Sequence, residues 1–175
     1  MPLSSPRPFG LNQVKIVSSD GSDVATLDVS RVLGWTPRML TGELTGSDRL
    51  AEVASFIEAA EWSLEEGGVP LDALAIMTGF TVSDSGSTPN QVRTLPIDAG
   101  TAMPYFKIYG KVLGVGADDV HIKIYKCKLT GNIEGDMSYG EFKTTGLSGI
   151  AVRDTVLGKV LDIVQNETAA ALPSS

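Results

Sequence analysis

The sequence is 175 residues long, enough for about one domain with a core of its own. A formal net charge of −7 and a pI near 4.6 argue against a protein that grips nucleic acid through its phosphates. Cys127 is the single cysteine, which excludes an intramolecular disulfide and a cysteine-built zinc site and is expected to be a buried, inert thiol.

Residues 1–12 carry Pro2, Pro6 and Pro8, which remove backbone donors and favour extended backbone, so an N-terminal arm is expected, either frayed or docked on a neighbour. The stretch lacks the apolar centre of a signal peptide, and no apolar run nears the roughly 20 residues that cross a bilayer. A soluble protein made in a cytoplasm is expected. Val14–Val17 predicts a short strand, Ser18–Asp23 a turn, and Val24–Val29 the return strand. Asp20 and Asp23 hint at calcium, but the ligand count and closing Glu of an EF-hand loop are missing.

Leu33–Pro37 reads as a turn and Arg38–Leu44 as a strand. The acids Glu43, Asp48, Glu52, Glu58, Glu61, Glu65, Glu66 and Asp72 then face Arg49 alone, whereas most lysines lie between Lys107 and Lys143. This segregation fits two solvated faces, or complementary patches on identical subunits that meet head to tail. Across residues 51–64 the spacing of Leu50, Val53, Ala54, Ile57, Ala60 and Leu64 is helical, while Phe56, Ala60, Trp62 and Leu64 also share strand parity. Periodicity by itself favours helix there. Pro70–Met77 predicts a short helix, with Asp72 near its positive end, Leu71, Leu74, Ala75 and Met77 inward, and Gly79 closing it.

Phe80–Val82 is expected to start a strand that enters a polar loop, Ser83–Asn90, and Val92–Ile97 to form the next strand, at an edge because of Pro96. The clearest pair follows. Phe106, Ile108 and Val112 alternate with Tyr105, Lys107, Tyr109 and Lys111, and Val120, Ile122 and Ile124 alternate with His121, Lys123 and Tyr125. Near Tyr125 the phase slips, so that Cys127 and Leu129 share its parity; a bulge, or a strand end buried on both sides, is expected. Gly131–Gly140 reads as turns, Glu141–Val152 as a strand broken by Gly146 and Gly149, and Val156–Val164 as a closing strand. Residues 169–175 form a small-residue C-terminal tail.

Catalytic patterns are absent. His121, the single histidine, sits inside a strand with no nucleophile elbow near it. Gly110, Gly114 and Gly116 superficially match a phosphate loop, but a strand at Val120 stands where a helix is required. Asp118/Asp119 and Glu65/Glu66 are sequence neighbours, which point apart in a strand or turn, whereas acid/base work needs convergence. No enzyme, no metal and no cofactor are expected.

Four stretches in order resemble the major tail tube protein of a long-tailed, siphovirus-like bacteriophage: Glu61–Gly68 (EWSLEEGG), Leu74–Gly79 (LAIMTG), Tyr105–Lys111 (YFKIYGK) and Val160–Thr168 (VLDIVQNET). The resemblance spans roughly Arg38 to Ala169. It implies a mainly β protein, a β-sandwich or partly closed barrel with one short flanking helix, occupying residues 13–168. It makes 51–64 a strand, the reading adopted here because Trp62-Ser63-Leu64 before Gly67-Gly68 suits strand and turn. It further implies a virion protein of the phage tail, assembled in the host cytoplasm as hexameric rings that stack into a tube. Its partners would be further copies of itself, tape measure, tail terminator and baseplate proteins, and DNA in transit, with no membrane. Candidate subunit contacts are Pro6, Pro8, Trp35, Glu43, Glu61, Trp62, Lys107, Tyr109, Lys111 and Lys123. Two other readings stay open: a capsid decoration or tail completion protein, and a β-sandwich that binds carbohydrate or peptide on Trp35, Trp62, Tyr105 and Tyr109.

Overall fold

A computed structural model describes residues 7–46, 49–116, 118–135, 138–141 and 143–174. In chain order, β1 (Pro8–Ser18) turns into β2 (Val24–Leu27), and β3 (Ser30–Gly46) with β4 (Arg49–Glu66) forms a long hairpin. Helix α1 (Leu71–Thr78) precedes a small separate hairpin, β5 (Ser83–Ser85) and β6 (Val92–Thr94). Then come β7 (Phe106–Gly114), β8 (Asp119–Leu129), β9 (Glu134–Gly135), β10 (Thr145–Val152) and β11 (Leu161–Asn166). The main sheet runs β2-β1-β7-β8-β10-β4-β3, with β11 added on β8 and β9 on β10, and its strand pairs are antiparallel. The fold is mainly β with one short helix, as the resemblance implied.

Alternation builds the core. Val14 and Ile16 of β1, Ile108 of β7, Ile122 and Ile124 of β8, and Trp62 and Leu64 of β4 all turn to one side, where Ala73, Leu74 and Met77 of α1 close over them. The sheet curls without closing: the start of β3 comes back over β1 and β7, where Leu33 sits on the bare backbone of Gly110. The helix begins at Leu71 and ends on Gly79 in the left-handed conformation at φ 79°, as expected. Its buried residues are Ala73, Leu74, Met77 and Thr78, so Leu71 and Ala75 lie nearer its margin than predicted.

The phase slip in β8 is a bulge. Phe106 pairs with Cys127 and Ile108 with Ile124, leaving one residue too many on β8, and Lys126 takes φ +45°. The bulge lies where β8 changes its second neighbour: β11 covers Asp119–Ile124 and β10 covers Cys127–Leu129. Cys127 is buried, and burial pushes its thiol well above the usual value.

Several boundaries move. β1 starts at Pro8, inside the expected arm, because Pro8 pairs with Gly114 and Leu11 with Val112. Proline is tolerated at the first residue of a strand. No turn interrupts Leu33–Pro37; β3 is an end strand, where Pro37 is accommodated opposite Ala60. Residues 51–64 are strand. Phe80–Val82 is not one: the pairing forms at Ser83–Ser85, where Arg93 of β6 binds Asp84 at 3.0 Å and reaches Asp72 of α1 at 2.7 Å. The strand expected from Glu141 begins at Thr145. The closing strand begins at Leu161, after a turn in which Asp154 accepts the Val156 and Leu157 amides.

Candidate assembly surfaces

β10 supports β4 only as far as Ala59. Beyond it, Met39–Gly46 and Arg49–Glu58 pair only with each other, a two-stranded ribbon about 25 Å long at strand rise. A bulge between Arg38 and Met39 marks its root, with Arg38 bound to Glu58 at 3.2 Å. On one face Met39 pairs with Ile57, followed by Glu43 with Val53; on the other Leu40 pairs with Phe56, followed by Leu44 with Glu52. The six apolar side chains are 52–65% exposed. An isolated two-stranded ribbon is marginal in water, and apolar residues on both of its faces call for cover on both. Glu43, Glu52 and Glu58 make it acidic as well.

The outward face of β1, β7 and β8 has the opposite charge. One cross-strand row holds Lys15, Tyr109 and Lys123, and Lys107, Lys111, Lys126 and Lys128 lie around it. A further row crosses from Lys128 through Ile150 to Glu61, so the sheet turns from basic to acidic towards β4. The ammonium groups of Lys126 and Lys128 lie over the Tyr105 ring, 5.3 and 5.1 Å from its centre.

At the rim of the basic face the Asp119 carboxylate is fully buried. It accepts from Asn166 Nδ2 at 2.7 Å and the Ala170 amide at 2.8 Å, lies 3.1 Å from His121 Nε2, and pairs with Lys111 Nζ at 3.3 Å. Burial works to raise its pKa, but these partners outweigh it and hold the group at about 2, below the ordinary 3.8. A carboxylate depressed in the folded state stabilises the fold above its unfolded value and loses that contribution as pH falls. The loss is therefore expected between 3.8 and about 2. In thermal unfolding followed across that window, Asp119→Asn should melt lower than the parent at neutral pH and lose less on acidification. An acid slope identical to the parent's would refute the assignment.

The sequence-predicted contacts separate into groups. Glu43 lies on the ribbon and Glu61 at the acidic end of the sheet, both exposed; Trp35 is partly exposed on β3. Lys107 and Lys123 are half-buried on the basic face. Lys111 is held on Asp119, and Tyr109 is buried. Pro8 is exposed at the start of β1, and Pro6 lies outside the described residues. Trp62 is a correction: it is 2% exposed and packs edge-on to Phe106, so it belongs to the core and not to a contact surface. Of the four aromatics of the sugar-binding reading, Trp62 and Tyr109 are buried, while Trp35 and Tyr105 remain partly exposed. The ribbon's apolar residues, Met39, Leu40, Phe56 and Ile57, are contacts that the sequence reading does not include; adjacent apolar pairs (Met39-Leu40, Val53-Ala54, Phe56-Ile57), which put apolar groups on both faces of a strand, are their signal.

Asp20 is committed to its own turn, where its Oδ1 accepts from Ser18 Oγ at 2.6 Å and from the Ser22 amide at 3.1 Å. Among the described residues no group of three or more His, Cys, Asp or Glu is placed to hold a metal ion, and no helix is long and apolar enough to cross a membrane. No family model and no curated protein matches the chain. Among solved structures, a chain of the anti-feeding prophage (AFP) baseplate, a six-fold symmetrised cryo-EM structure, aligns at 10% identity and a TM-score of 0.42, over 94% of this chain and 96% of that one.

Proposed function

We propose that this chain is a structural subunit of a bacteriophage tail, which self-assembles into hexameric rings stacked as a tube for DNA passage. It works without an active site or cofactor. The observation that carries the reading is the β3–β4 ribbon, whose two apolar faces are left uncovered by the chain's own fold. The resemblance of Glu61–Gly68, Leu74–Gly79, Tyr105–Lys111 and Val160–Thr168 to tail tube proteins supports it. Two further features fit head-to-tail contact between copies. β2 and β3 end the sheet with one neighbour each, and unprotected edges of this kind pair readily with another chain. The acidic ribbon and the basic face of β1, β7 and β8 are complementary in charge. Tape measure, terminator and baseplate proteins are the further partners in this reading, and the virion is the location.

Negative-stain electron microscopy of the purified protein across a concentration series is the direct test. Hollow tubes of uniform width are the expected result. Closed rings or trimers that never stack would replace the tube reading with a decoration or completion role. Absence of any assembly, even with preformed tube ends added as seeds, would overturn self-assembly.

A further inference from the structure

Residues 167–174 leave β11 and run across the outward face of the sheet without joining it as a strand. Three of their backbone groups are caught by side chains: the Ala170 amide by Asp119 at 2.8 Å, the Ala170 carbonyl by Lys111 at 2.6 Å, and the Leu172 carbonyl by Lys15 at 3.3 Å. Leu172 is the segment's one buried residue, seated with Val17 and Tyr109 and flanked by Tyr125. Ala169, Ala170 and Ala171 are exposed and offer little side chain to bury. The segment thus reaches from β8 over β7 to β1 and covers an apolar, aromatic patch ringed by Lys107, Lys123 and Lys126.

We propose that this segment is an autoinhibitory strap, which occupies in the free subunit the face that the β3–β4 ribbon of a second copy occupies on assembly. The inference rests on the self-assembly reading and adds its regulation. The chemistry favours exchange. Lys15 now donates to a neutral carbonyl oxygen, and Lys111 divides its ammonium between the Ala170 carbonyl and Asp119, whereas the incoming ribbon brings the exposed Glu43 and Glu52. Bonds between ionised partners are the stronger kind. The ribbon also carries Met39, Leu40, Phe56 and Ile57, more apolar surface than the single Leu172 that it displaces. A strap held by one leucine and three backbone contacts is ordered enough to cover the face and weak enough to yield.

The test compares the critical concentration for assembly, by sedimentation and electron microscopy, in three proteins: the parent, a chain ending at Glu167, and the full chain with Leu172→Ser. Opening the strap removes the fraction of subunits closed to binding, so both variants should assemble at about tenfold lower concentration. Leu172→Ser keeps the Asp119 anchor and decides the matter if the shortened chain fails to fold. Hydrogen exchange at the Ala170 amide should be faster in Leu172→Ser before assembly begins, because the Asp119 contact opens more often once the leucine no longer pins the segment. A critical concentration unchanged or raised in Leu172→Ser, while the parent assembles, would overturn the strap and leave self-assembly standing. Failure of all three to assemble, seeded or not, would overturn both.

Discussion

Leu40→Ser with Phe56→Ser is expected to abolish assembly at concentrations where the parent forms tubes, while the melting temperature stays within about 2 °C. The two residues oppose each other across the ribbon at 58% and 65% exposure, beyond the last residue of β4 that β10 supports. They therefore add little to the fold of the single chain. Covered by a neighbour, each contributes roughly 1.5–3 kcal/mol, so removing both weakens each contact by at least about a hundredfold. The opposite face supplies the sharper half of the test. Met39→Ser with Ile57→Ser should weaken assembly to a similar extent, because a ribbon apolar on both sides is enclosed on both. Sedimentation velocity across a concentration series reads the effect. If both double variants assemble as the parent does, the ribbon is not the contact; if only one pair matters, the ribbon lies on a surface and is not enclosed.

The same ribbon explains where the sequence was hard to read. Where one face of a strand is buried and the other wet, the period of two is plain, and β7 and β8 could be drawn from Phe106–Val112 and Val120–Ile124 down to the bulge at Lys126. Where both faces are apolar the alternation disappears. In β4 Phe56 with Ala54 and Ile57 with Val53 fall on opposite faces, and the bulge at the ribbon's root breaks their phase with Ala60, Trp62 and Leu64. Those residues then mimic helical spacing, and the resemblance outperformed periodicity. Leu33–Pro37 misled for a different reason: turn chemistry is local, but Gly34 lies within 2.6 Å, at Cβ position, of Ser63 Oγ, and a glycine there serves close strand approach. The small-residue tail carried no signal for its docking, since its anchors are backbone groups met by Asp119, Lys111 and Lys15 from distant strands.

Trp62→Ala should cost about 3–5 kcal/mol in urea unfolding, the usual range for removing a large aromatic from a core. The indole meets Phe106 edge-on, with centroids 5.6 Å apart and planes at 81°, which joins β4 to β7 through the interior. Gly149 of β10 makes room for it: a Cβ there would lie 2.6 Å from Trp62 Cζ2. Hydrophobic neighbours that fit one ring this closely have no way to fill the space left by alanine. Trp62→Phe separates the two roles of the side chain. It keeps an aromatic ring near Phe106, and it deletes an indole N–H that finds no acceptor among the described residues. An unsatisfied buried donor is itself unfavourable by about 1–3 kcal/mol, which offsets part of the lost volume, so Phe should cost less than about 2 kcal/mol. The critical concentration of Trp62→Phe should match the parent's, because Trp62 acts inside the subunit and the ribbon acts between subunits. A Trp62→Ala variant as stable as the parent would remove Trp62 from the core, and a Trp62→Phe variant that folds normally but fails to assemble would return it to the contact surface.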